Sequence, residues 1–131
     1  MKLTTADQMR ELDRRTIEDW GLPGMVLMES AGRAVADAAL ELLQGAPGPV
    51  VVVAGKGNNG GDGFVVARWL QQQAVPVEVC LLPAADELSG DAATNCRLAM
   101  RLGVPVHEGA DASLLADRLA GASVIVDGVL G

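Results

Sequence analysis

The run Val50 to Val53 is four β-branched residues in a row, and it passes through Ala54 straight into GKGNNGGDG, Gly55 to Gly63. A continuous apolar run of this length describes a strand buried on both faces, which occurs where helices cover both sides of a parallel sheet. A glycine-rich string after such a strand, followed by the apolar-patterned FVVARWL of Phe64 to Leu70, describes a strand that opens into a helix. This single feature restricts the chain to the α/β class.

The rest of the sequence extends that pattern. After the breaker GAPGP, Gly45 to Pro49, the chain reads as strand Val50–Ala54, a helix from about Asp62 to Gln73 and strand Val75–Leu82. A helix from about Leu88 to Leu102 follows, with Ala92, Cys96, Ala99 and Met100 as its inner face. Strand Val104–Val106, helix Ser113–Ala120 and strand Ser123–Asp127 complete the alternation. Strands alternating with helices imply a parallel sheet with right-handed crossovers. Two helices precede it. The first spans residues 4 to 20, with Thr4 or Thr5 as cap and Met9, Leu12, Thr16 and Trp20 on one stripe. The second runs from about Val26 to Leu43 with Leu27, Ala31, Val35, Ala38 and Leu42 as its buried face. Its small residues Ala31, Gly32, Ala34 and Ala36 permit close approach of another backbone. The length of 131 residues suits one domain, 1–131. Because DGVLG, Asp127 to Gly131, stops directly after a core strand, the reading is of a domain whose C-terminal part is missing.

Composition narrows the function. Seventeen acids against ten bases give a formal charge of −7, which disfavours nucleic acid and anionic membranes as partners. No apolar run approaches the roughly 20 residues of a membrane span, and MKLTTADQMRELDRR has no apolar stretch of signal-peptide type. Cys80 and Cys96 form neither a C-x-x-C pair nor a disulfide framework, and His107 is the only histidine, so a zinc site is not expected. A cytoplasmic, reduced protein is the expectation.

Within the glycine string, Gly55, Gly57 and Gly60 satisfy G-x-G-x-x-G, a weak signal on its own. The dinucleotide reading also asks for an acid about 20 residues on, at the end of the second strand. Glu78 is near that spacing but sits inside the strand, and Asp86 is too distant. No Gly-Lys-Ser/Thr follows, so Walker A chemistry is absent. The distinguishing residues are Asn58, Asn59 and Asp62, where an ordinary Rossmann turn carries small or apolar side chains. Asp62 alone could serve as an N-cap, but a turn does not need three polar residues around adjacent glycines. In the usual doubly wound order the fourth strand lies beside the first, on the side away from the second, and ligands bind beyond the carboxyl ends at that switch point. The Asn58–Asp62 segment and Asp127 then face one crevice. An amide oxygen and a carboxylate are hard ligands, suited to an alkali or alkaline-earth cation.

GKGNNGGDGFVVARWL after VVVVA resembles the signature of the NAD(P)H-hydrate epimerases, the YjeF N-terminal domain family. LMESAG, Leu27 to Gly32, and VDGVLG, Val126 to Gly131, are further points of resemblance. The resemblance implies a three-layer α/β/α Rossmann-like sandwich and an isomerase that interconverts the R and S forms of hydrated NADH and NADPH. It implies substrate-binding residues at Asn58, Asn59, Gly60, Gly61, Asp62 and Gly131, and a potassium ion on Asn59 and Asp127. Asp62, the carboxylate within the glycine string, is the candidate catalytic acid–base residue. The resemblance also points to a homodimer through the N-terminal helices and to a fused or partner ADP- or ATP-dependent dehydratase. Two rival readings remain: a dehydrogenase-type NAD domain, and a non-catalytic interaction or scaffold module.

Overall fold

In a computed structural model, which describes residues 11, 14 and 21 to 129, the chain forms the α/β architecture that the alternation predicts. Apart from residues 11 and 14, the expected first helix (4 to 20) lies outside the described residues, as does Gly131. The elements are α1 (Gly24–Leu43), β1 (Val50–Ala54), α2 (Asn58–Gln72), β2 (Val77–Leu81), α3 (Gly90–Arg101), β3 (Val106–His107), α4 (Ala112–Ala120) and β4 (Val124–Gly128). A short 3-10 helix, Ala85–Glu87, separates β2 from α3.

The four strands order as β3-β2-β1-β4, all parallel. The reversal of direction after β1 is the switch point expected from the sequence. Val50 pairs with Val124 and Ala54 with Gly128, so the carboxyl ends of β1 and β4 finish side by side. Successive strand residues point to opposite faces. Val50, Val52 and Ala54 join the core under the helices, with Val77, Val79 and Leu81 of β2 and Val124 of β4. Phe64, Val66, Ala67 and Leu70 of α2 close that core from above. On the opposite face Arg118 of α4 lies 3.7 Å from Glu78 of β2, which places α4 in the second outer layer.

Four expectations require correction. The buried stripe of α1 is Met28, Gly32, Ala36, Ala39 and Leu43, one position beyond the expected one; Leu42 and Val35 are exposed. Both stripes are apolar, and the one that wins carries Gly32, where a Cβ would overlap the side chain of Val65 on α2. Close helix packing selects the smallest residues, not the largest. On α3, Met100 is exposed and Asn95 takes its place in the interior. The most consequential correction concerns α2, which begins at Asn58 instead of Asp62. Strand β3 also begins at Val106, because Pro105 has no N–H to give to a ladder, although its carbonyl accepts from the N–H of Val79 at 2.9 Å.

Candidate functional site

The strand–glycine–helix junction is closed by backbone packed on backbone. Beyond the last residue of β1, the Gly55 N–H donates to the Gly128 carbonyl at 3.0 Å, extending the β1–β4 ladder by one step. A Cβ on Gly55 would stand 2.6 Å from the Val129 carbonyl oxygen, and one on Gly60 would overlap the carbonyl of Gly55. A Cβ on Gly128 would stand 2.8 Å from the Asn59 carbonyl oxygen and 3.2 Å from that of Val53. Three segments therefore meet at the switch point with room for no side chain between them: the end of β1, the first turn of α2 and the end of β4. The glycines at 55, 60 and 128 are what allow it.

The same packing explains why the helix starts early. Glycine disfavours helix interiors by about 1 kcal/mol relative to alanine, so GNNGGDG reads as a loop on propensity alone. In the fold, Gly60, Gly61 and Gly63 line the face of α2 that lies on Gly55, Met28 and Val52, and tertiary contact overrides propensity. Gly57 is the N-cap and supplies no side-chain cap. The first-turn N–H groups of Asn58, Asn59 and Gly60 consequently have no intrahelical acceptor, the condition that makes a helix start attractive to anions. Lys56, Gly57, Asn58 and Asn59 are all exposed.

Asn58, Asn59, Gly60, Gly61 and Asp62 thus occupy the first two turns of α2 and not a loop. Asp62, half-buried in the second turn, is not the N-cap. Asp127 is the penultimate residue of β4 and is exposed; its Oδ1 accepts from the Val129 N–H at 3.0 Å. Its chain neighbour Gly128 is the residue against which the Asn59 backbone rests. Asn59 and Asp127 therefore belong to one edge of the sheet. Among the described residues no group of three or more His, Cys, Asp or Glu side chains is arranged to hold a metal ion, so a cation here would rely on the amide oxygen as well as the carboxylate. Glu78 lies elsewhere: within β2, 3.7 Å from both His107 Nε2 and Arg118 Nη1. The ribose-binding acid of a dehydrogenase is not supplied by this residue.

Other residues, which periodicity alone does not single out, hold α2 in place. Glu29 of α1 accepts from Trp69 Nε1 at 3.1 Å and pairs with Arg68 Nη2, both on α2. Met28, beside it, packs on Gly61. The guanidinium of Arg33 stacks over the Trp69 ring, 5.0 Å from its centroid. The signal in the sequence is the charged Glu29 within the apolar stretch LMESAG. Asn95 of α3 is wholly buried, with Nδ2 donating to the Asp91 carbonyl at 3.2 Å. A cavity of about 490 Å³ between α1, α2 and α3, lined by Met25, Glu29, Arg68, Asn95 and Leu98 among others, contains none of the glycine-string residues. Cys80 and Cys96 are buried, and desolvation raises both thiols above their ordinary value.

Comparison with known proteins sets this geometry among others like it. A family model described as "YjeF-related protein N-terminus" matches residues 24–131. The NAD(P)H-hydrate epimerase of Rhodopirellula baltica is 41% identical over 97% of this chain and 51% of its own length. The bifunctional NAD(P)H-hydrate repair enzyme Nnr of Salinibacter ruber is 52% identical over 75% of this chain and 18% of its own. The crystal structure of yeast ynu0, YNL200c, superposes with a TM-score of 0.82 at 28% identity, covering 100% of this chain and 57% of that one. The chain spans about half the length of the first of these relatives.

Proposed function

Because this chain belongs to the YjeF-related N-terminal family, we propose that it forms part of an isomerase that interconverts the R and S forms of hydrated NADH and NADPH. The observation that carries the reading is the meeting of Asn59 with Gly128 at the switch point, which brings the polar first turn of α2 to the edge that bears Asp127. Asn58, Asn59, Gly60, Gly61 and Asp62 bind the substrate, with Gly131 beginning a second binding segment. The uncapped N–H groups at the start of α2 receive the diphosphate and orient the damaged ring.

The hydrated ring carries a hydroxyl on the carbon beside its nitrogen, so it is a carbinolamine. The nitrogen lone pair expels that oxygen, which takes a proton and departs as water; water then returns from either face and gives up a proton. Each step needs a positioned acid or base, worth about 100- to 10,000-fold. Asp62 is the residue assigned to it. The donor set of Asn59 and Asp127 suits potassium, which these two residues would hold and which would supply positive charge beside the substrate's diphosphate. Relatives named as bifunctional NAD(P)H-hydrate repair enzymes support a second repair activity in the whole protein, which we assign to a fused or partner ADP- or ATP-dependent dehydratase. A homodimer and a cytoplasmic location complete the proposal; no helix among the described residues is long and apolar enough to cross a membrane.

The test is chromatographic conversion of R to S by the full-length protein. Wild type is expected to convert in potassium and to slow in lithium. Asp127→Ala is expected to lose the potassium response, and Asp62→Asn to lose turnover by about 100-fold or more. Wild-type traces identical to the enzyme-free control would end the epimerase reading. Full activity of Asp62→Asn would remove only its assignment.

A further inference from the structure

The carboxyl edge of the sheet is acidic. In the segments that leave the four strands (55–57, 82–89, 108–111 and 129) stand Asp86, Glu87, Glu108 and Asp111, with Asp127 just inside β4. The one base in those segments is Lys56. Lys2 and Lys56 are the only lysines of the chain, whose formal charge is −7. A substrate bearing a diphosphate therefore approaches a rim of its own sign, which opposes association.

Resting on the epimerase reading, we propose that Lys56 is a substrate-positioning residue that binds a phosphate group of the hydrated nucleotide and so offsets the acidic rim. Its backbone is held on both sides: Gly55 is fixed against Gly128 and Val129, and Gly57 is the N-cap of α2. The lysine therefore stands at the entrance to the uncapped helix start, two residues before the first of its free N–H groups at Asn58. It is exposed and enters no hydrogen bond or ion pair among the described residues. Two acids of the rim have structural work instead. Glu108 accepts from the Ala85 N–H at 2.6 Å, and Asp111 caps α4 through the Leu114 N–H at 2.8 Å. A lysine placed only for solubility would be expected on an outer helix face, where Arg97 and Arg101 of α3 stand, and not between two backbone clamps at a crevice.

The experiment uses the full-length protein with Lys56→Gln, Lys56→Arg and, as a charge-matched control at the opposite end of the fold, Arg101→Gln. Lys56→Gln is expected to raise KM about tenfold while leaving kcat unchanged, the loss of one charge-assisted contact. Lys56→Arg is expected to restore KM, and Arg101→Gln to leave it alone. A rise for both hydrated NADH and hydrated NADPH assigns the contact to the diphosphate; a rise for hydrated NADPH alone assigns it to the 2′-phosphate. An unchanged KM for both substrates, or an equal rise in Arg101→Gln, overturns the proposal. Calorimetric titration with ADP and with 2′,5′-ADP separates this outcome from failure of the epimerase reading. If wild type has no turnover, weaker binding of either probe by Lys56→Gln supports the lysine, and equal binding refutes it.

Discussion

Gly60→Ala is the sharpest test of the backbone closure at the switch point. A methyl group at residue 60 would overlap the Gly55 carbonyl oxygen and lie 3.0 Å and 3.2 Å from the Gly55 carbonyl carbon and nitrogen. All three are backbone atoms of a segment hydrogen-bonded into the β1–β4 ladder, so none can rotate away. Overpacking of this kind costs about 3 kcal/mol at the upper end of its usual range. Alanine returns at most about 1 kcal/mol of helix propensity. The net expectation is a loss of about 2 kcal/mol, read from urea unfolding of the full-length protein followed by circular dichroism. Gly61→Ala is the internal comparison. Its methyl would meet the Met28 Cε at 2.6 Å and Sδ at 2.8 Å, the far end of a flexible thioether, and the Ala92 Cα at 3.2 Å. Met28 can turn aside, so the loss should stay below about 1 kcal/mol. Activity should separate further than stability, because a first turn lifted by about 1 Å loses about 100-fold in rate. Gly60→Ala as stable as wild type, or Gly61→Ala the more damaging of the two, would refute the closure.

Glu29→Gln removes the charge facing Arg68, whose side chain is only 13% exposed, and leaves a cation largely buried without its counter-ion. A loss of about 1–3 kcal/mol in the same unfolding measurement is expected, with Arg68→Met in the Glu29→Gln background recovering part of it. The raised thiols of Cys80 and Cys96 give a pH dependence. Burial keeps the neutral form in the folded state, so their contribution is complete below the unfolded thiol value near about pH 8.5 and is lost as pH rises through the folded values. Stability should therefore fall on the alkaline side in wild type and less so in Cys80→Ala/Cys96→Ala; alkylation of the native protein at pH 7 should be slow.

How much of this was legible in the sequence depended on which force decided each element. The sheet was legible because β1 is a continuous apolar run, strands and helices alternate after it, and the crossover rule leaves few orders for them; the position of β4 beside β1 follows from that rule. The face of α1 was not, because Leu27, Val35 and Leu42 form as good a stripe as Met28, Ala36 and Leu43, and only the partner's shape chooses between them. Asn95 resembles a surface residue until the helix register puts it inside. The start of α2 was hidden for a related reason. Its glycines report the proximity of Gly55 and Met28, a tertiary fact, whereas propensity scales count them as helix breakers. The polar residues among them were visible at once, since nothing in a turn requires Asn58, Asn59 and Asp62 together.

The position of Asp127 ties the site to the register of the sheet. Val53 pairs with Asp127, while Val124 and Val126, on alternate positions, face the core with Val50 and Val52. A slip of β4 by one residue would turn Asp127 into that core and Ile125 with it, and would leave Val124 and Val126 on the solvent side. It would also replace Gly128 opposite Asn59 by a residue with a side chain, for which the 2.8 Å approach leaves no space. Hydrophobic burial and the glycine contact thus select one register, and that register sets Gly128, the chain neighbour of Asp127, against the first turn of α2. Gly128→Ala should show the linkage directly. The methyl pushes the Asn59 turn and the β4 end apart, so potassium dependence should weaken in a protein whose far-UV circular dichroism is unchanged. A Gly128→Ala protein with a wild-type potassium response would mean that the two segments hold no ion between them.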